Sequence, residues 1–158
     1  MPTNLYGPGD KFHPAVSHVI PALIKKCVDA VEAGDDHIEV WGTGAASREF
    51  LYVDDAADGL VFLMQHYTGE GFLNLGTGTE ISIADLAELV CRTVGFQGRI
   101  RFDHSRPDGT PRKVMDVSRL SALGWHAGTS LQQGLQQTYR WYLEQFASDR
   151  RSAVASVA

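Results

Sequence analysis

The sequence predicts an α/β fold: a small sheet flanked by helices. Three observations carry this. Stretches with apolar residues at helical spacing alternate with short apolar runs, glycine-rich turns separate the two, and the strand-like runs number only three or four. With 158 residues, 44% of them hydrophobic, the chain can bury one sizeable core but not two ordinary ones. One domain is expected over 1–146, followed by a disordered tail of small polar residues at 147–158.

Residues 1–16 are rich in Pro and Gly and read as loop, ordered only near Asn4–Tyr6. Motif-like residues crowd the first ten positions, where a disposable polar tail is usual, which suggests that Met1 is an internal methionine. Ser17 is the candidate cap of a helix with apolar positions at Val19, Leu23, Cys27 and Val31. Pro21 is tolerated in its first turn and Gly34 closes it. His37–Trp41 reads as a strand, 42–44 as a turn and 49–52 as a second strand. A helix follows over Val53–His66, with Asp54 and Asp55 placed to favour its N-terminal dipole. A strand run at 72–75 ends in the Gly-Thr-Gly of 76–78. Ser82 and Asp85 form a capping-box pattern opening a helix over Ile83–Val94. The remaining elements are a strand at 99–102, a polar loop at 103–113, a short helix at 118–123 and a last helix at 130–146.

A formal net charge of −5 with no basic tract argues against a nucleic-acid partner. No apolar run approaches the roughly 20 residues that span a bilayer, and no charged-then-apolar leader begins the sequence, so a cytoplasmic location is expected. Cys27 and Cys91 fall in helical segments without metal-ligand or disulfide-framework spacing, and buried free thiols are expected.

Several residues invite a functional reading beside a structural one. The glycines of NLYGPGD (4–10) make a tight turn or let backbone approach a nucleotide or sugar closely. His18, at a helix start, is structural or serves as an acid or base near neutral pH. Arg48, between a glycine turn and a strand, is solvated or holds a phosphate bidentately, with Lys25 and Lys26 adding charge nearby. The Gly-Thr-Gly of 76–78 lacks the third glycine of a dinucleotide loop and reads as a simple turn. Arg112 and Lys113, with Asp108 and Gly109, form a solvated turn or a flap over a charged ligand.

Taken together, MPTNLYGPGD (1–10), SHVIPAL (17–23), VWGTGAASREFLYVDD (40–55), NLGTG (74–78), RPDGTPRK (106–113) and LGW (123–125) resemble the C-terminal part of the GDP-L-fucose synthases. These are extended short-chain dehydrogenase/reductases of the NAD-dependent epimerase/dehydratase family. The first, third and fourth motifs resemble the extended family generally, while SHVIPAL and PDGTPRK point to the narrower one. The resemblance implies the substrate-binding portion of such an enzyme, with the Rossmann half missing. It implies a GDP-sugar ligand, GDP-4-keto-6-deoxy-D-mannose, epimerised and then reduced with NADPH to GDP-L-fucose. By position, His18 matches the acid of the epimerisation, and Lys26, Trp41, Arg48 and Lys113 match substrate-binding residues. Pro2, Thr3, Asn4 and Leu5, with His18, match residues that touch the cofactor. Lys26 stands where an arginine is often found, and the two do not share bidentate geometry.

Three family features have no counterpart: the glycine-rich cofactor loop, the Tyr-x-x-x-Lys pair and the partner cysteine of the epimerisation. None of the five tyrosines is followed by lysine four residues later. The chain alone is therefore expected neither to bind NADPH in the usual way nor to reduce a ketone. Its partners would be the GDP-sugar and either a second copy, as in the family's homodimers, or a separate Rossmann half. The alternatives are a fragment of another nucleotide-sugar epimerase or dehydratase, from which His18 would distinguish it, and a non-catalytic nucleotide-sugar-binding module.

Overall fold

Strand β3 (Ser47–Tyr52) organises the molecule because its second half leaves no polar face. Phe50 and Tyr52 turn into one apolar cluster and Leu51 into another, so both sides of the strand are covered, as in buried parallel sheets. The computed structural model describes residues 1–13 and 16–155, with side chains through Gln145. Over 50–52, β3 pairs in parallel with β1 (Asn4–Tyr6). Over its first residues it pairs antiparallel with β4 (Glu80–Ser82) and in parallel with β6 (Arg112–Lys113). A separate parallel pair joins β2 (His37–Trp41) to β5 (Arg99–Asp103), with Trp41 opposite Asp103.

Three helices cover the larger cluster. Helix α1 (Val19–Ala33) buries Ile20, Leu23, Ile24, Cys27 and Val28, and Gly34 caps it in the left-handed conformation. Helix α3 (Ile83–Val94) buries Leu86, Ala87, Val90 and Cys91, and the Ser82 hydroxyl accepts the Asp85 amide as the capping pattern requires. Helix α5 (Leu131–Ala155) adds Leu135 and Tyr142. The smaller cluster joins Leu51 to Ala56 of α2 (Val53–His66), Leu75, Leu120 of α4 (Ser118–Ala122) and Trp125.

The structure corrects several local expectations. The run 72–75 is not a strand; only Leu75 makes a bridge, in parallel with Pro2. Ser17 does not cap α1: His18 occupies that position with no side-chain cap. The loop 103–113 contains β5's last residue and β6, and the described strands number six in two sheets. Neither β4 nor β6 is long enough to signal itself locally, and both exist by pairing with β3. The tail expected at 147–158 falls where side chains are not described, and 156–158 lie outside the described residues altogether. No described helix is long and apolar enough to cross a membrane.

Candidate functional site

A cleft of about 770 Å³ opens between the start of α1, the end of β2, β1 and β3. Of the residues singled out from the sequence, Thr3, Asn4, Leu5, His18, Lys26, Trp41 and Arg48 all line it. They come from positions 3 to 48, and it is the parallel pairing of β1 with β3 and the packing of α1 on β2 that bring them together. Two do not line it. Pro2 is engaged in the bridge to Leu75, and Lys113 lies on β6, exposed, opposite Arg48 in the strand register.

Period-two alternation along β3 divides its polar residues between two tasks. Arg48 faces the cleft. Its guanidinium donates to the Ser47 carbonyl at 2.6 Å and to the Asp108 carbonyl at 3.4 Å, which leaves the rest of its five donors for a ligand. Glu49 faces the other way and is fully buried. Its carboxylate accepts the backbone amides of Thr77 at 2.6 Å, Gly78 at 2.8 Å and Met115 at 2.7 Å. The Gly-Thr-Gly turn thus already cradles an anion, and that anion belongs to the chain.

On α1, Lys25 is held by Asp29 at 2.7 Å, whose hydrogen bond raises the ammonium's pKa. Lys26 donates to the Glu39 carbonyl at 2.7 Å, and its ammonium stands 5.7 Å from the Trp41 ring centroid. The His18 side chain is 82% exposed at the cleft mouth, 3.8 Å from Asp10. Ser17 also lines the cleft, its buried hydroxyl without a hydrogen-bond partner among the described residues.

Asp108, which the sequence offered only as part of a turn or flap, lines the cleft too. It pins the 104–111 loop to the Gly-Thr-Gly turn at 42–44, accepting from Thr43 N and Oγ1, both at 2.7 Å. These hydrogen bonds hold the Asp108 carboxyl below its ordinary pKa, the side-chain one contributing most. Gly42 has a φ of 82°, and a side chain there would meet the Asp108 carboxylate at 2.2 Å, so the clamp requires glycine. No group of three His, Cys, Asp or Glu among the described residues could hold a metal ion.

The chain is similar to several known proteins. The NAD dependent epimerase/dehydratase family model matches residues 1–76. A probable GDP-L-fucose synthase 1 of Oryza sativa subsp. japonica is 52% identical over 151 residues, 96% of this chain and 46% of that protein. GDP-L-fucose synthase 1 of Arabidopsis thaliana is 54% identical over 144 residues, 91% of this chain and 45% of that one. A GDP-L-fucose synthetase from Naegleria fowleri bound to NADP superposes with a TM-score of 0.87 at 34% identity, covering 92% of this chain and 46% of that one. In fold the chain thus matches part of an extended short-chain dehydrogenase/reductase, with its first half matching the NAD-dependent epimerase/dehydratase family. Its curated relatives at about half identity are GDP-L-fucose synthases, whose C-terminal part it matches. It spans about half the length of the relatives it matches.

Proposed function

We propose that the chain is the GDP-sugar-binding part of a GDP-L-fucose synthase, working on GDP-4-keto-6-deoxy-D-mannose in the cytoplasm. The observation that carries this is the convergence of His18, Lys26, Trp41 and Arg48 on one cleft beside Thr3, Asn4 and Leu5. Arg48, with its remaining donors, and Lys26 hold the pyrophosphate. Trp41 borders the nucleoside, and Lys113 reaches the substrate only if its loop moves. Anchoring the diphosphate supplies remote binding energy that orients the sugar ring. A ketone acidifies the neighbouring carbons of that ring. His18 is then the acid that returns a proton to the face opposite the one from which a base removed it. The open position of His18 suits a group that must meet substrate.

The residues present do not fit a whole dinucleotide cofactor. The amides of Thr77 and Gly78, in the turn most like a phosphate cradle, are already bound to Glu49. Thr3 Oγ1 and the Asn4 amide both donate to the Glu49 carbonyl. Residues 2–5 and His18 therefore offer at most one border of an NADPH site, and the rest belongs to a Rossmann half. The chain alone does not reduce a ketone.

The test is reconstitution. The chain is co-expressed with the cofactor-binding half of the Arabidopsis relative and given GDP-4-keto-6-deoxy-D-mannose. GDP-L-fucose should form, and His18→Asn should abolish epimerisation, so that no sugar with inverted ring carbons is produced. Inverted product from that variant, or no product from a folded complex, would overturn the proposal.

A further inference from the structure

We infer that Asp10 is the positioning residue of His18, an inference that rests on the proposed function and deepens it. The Gly-Pro-Gly-Asp run at 7–10 is a tight turn, closed by the Asp10 amide donating to the Gly7 carbonyl at 3.3 Å. Pro8 supplies a fixed φ at its second position, and Gly9 takes a φ of 85°, as the third position of a type II turn requires. A side chain at Gly7 would meet Val53 Cγ1 at 2.5 Å, so the turn is pressed against the start of α2. Anchored in this way, it delivers Asp10 to the cleft mouth. There Oδ1 accepts the Lys11 amide at 2.8 Å and lies 3.8 Å from His18 Nδ1.

The two side chains differ in exposure: Asp10 is 15% exposed and His18 82%, so a sheltered carboxylate faces one nitrogen of an open ring that lines the cleft. His18 stands at the N-cap of α1, yet its side chain caps nothing. Its carbonyl accepts the Ala22 amide at 3.0 Å, which fixes the backbone beneath the ring. Among the described residues, Asp10 is the charged group that then sets how the ring is turned.

The proposed chemistry needs that control. As an acid, His18 carries protons on both nitrogens and gives the one on Nε2 to the carbon of the enolate. The Nε2–H bond breaks, a C–H bond forms from the enolate's electron pair, and the imidazole is left neutral with its proton on Nδ1. A carboxylate at Nδ1 accepts a hydrogen bond from that remaining proton and keeps Nε2 toward the substrate. At 3.8 Å the pair is wider than a hydrogen bond, and catalytic hydrogen bonds are often long until substrate is bound.

The test has two readouts. Two-bond proton–nitrogen correlation spectra of the folded chain, with His18→Asn identifying the resonance, show which nitrogen of neutral His18 is protonated. Wild type should carry the proton on Nδ1, and Asp10→Ala should move it largely to Nε2. In the complex with the cofactor-binding half, Asp10→Ala should lower kcat for GDP-L-fucose formation roughly tenfold or more, while KM for the GDP-sugar stays nearly constant. Asp10→Asn, which keeps the size and an oxygen but not the charge, should fall between wild type and Asp10→Ala, and melts check that each variant folds. Neutral wild-type His18 protonated on Nε2 would overturn the inference whatever the variants do. So would unchanged kcat in a folded Asp10→Ala complex, and the proposed function would stand if His18→Asn abolished epimerisation there. A folded wild-type complex that forms no GDP-L-fucose would overturn both.

Discussion

Replacing Glu49 with glutamine should cost this chain much of its stability, although the two side chains have nearly the same shape. In the native structure Oε1 accepts two amides, from Thr77 and Gly78, and Oε2 accepts the amide of Met115. Glutamine can place its oxygen toward the first two, but its NH2 group then meets the Met115 N–H, donor against donor. Hydrogen bonds to a charged group contribute about 1.5–3 kcal/mol and neutral ones about 0.5–1.5, so the two retained bonds lose about 1 kcal/mol each. Leaving one donor unsatisfied beside a fully buried side chain adds about 1–3 kcal/mol, for a total of about 3–5 kcal/mol. Urea unfolding reads this directly. With a slope near 2 kcal/mol per molar, the midpoint should fall by about 1.5–2.5 M. A loss below about 1 kcal/mol would mean that the 76–78 turn and the segment at Met115 do not depend on a buried carboxylate, and the reasoning would fail.

Other consequences are equally concrete. Gly59→Val would drive a side chain into Leu75 Cδ1 at 2.6 Å and Trp125 Cζ2 at 2.9 Å, overpacking the smaller cluster. A loss of about 1–3 kcal/mol follows, and the thermal midpoint should fall by about 2–4 °C per kcal/mol. Asp36, beside β2, is held down to a pKa of about 2 by hydrogen bonds from His37 and then Arg99. A depressed carboxylate stabilises the fold fully above its unfolded value near 4 and ceases to as pH falls through about 2. Protection of the β2–β5 amides, taken relative to the intrinsic exchange rate at each pH, should therefore fall across that window in wild type and lose this acid dependence in Asp36→Asn. The Cys27 and Cys91 thiols are buried 3.6 Å apart, and that hydrogen bond together with burial pushes Cys27 well above the ordinary cysteine pKa. Ellman's reagent should accordingly label neither at an appreciable rate until urea unfolds the chain, after which both should react.

The helices were legible because each carries its own period and punctuation: Gly34 closes α1, Ser82 with Asp85 opens α3, and acids begin α2. Strands β4 and β6 were not, since three residues and two residues make no pattern and only the neighbouring β3 turns them into sheet. Most of the cleft was readable because its residues belong to contiguous motifs at 3–5, 17–23 and 40–48, which the fold then stacks. Asp108 and Arg106 were visible only as members of a loop motif, since their contacts depend on that loop folding back 65 residues along the chain onto Thr43 and Trp41. Glu49 left only one clue, an acid at the head of an apolar strand. Its meaning depends on the Gly-Thr-Gly turn, which the sequence alone presented as an ordinary loop.

The central claim is that the cleft takes the diphosphate of a GDP-sugar, and calorimetric titration of the folded chain with GDP tests it most directly. The account predicts saturable one-to-one binding that Arg48→Ala weakens about tenfold or more, since a charged, bidentate-capable donor set is removed from the phosphates. Binding equally strong in Arg48→Ala, or none in the folded wild type, would contradict it.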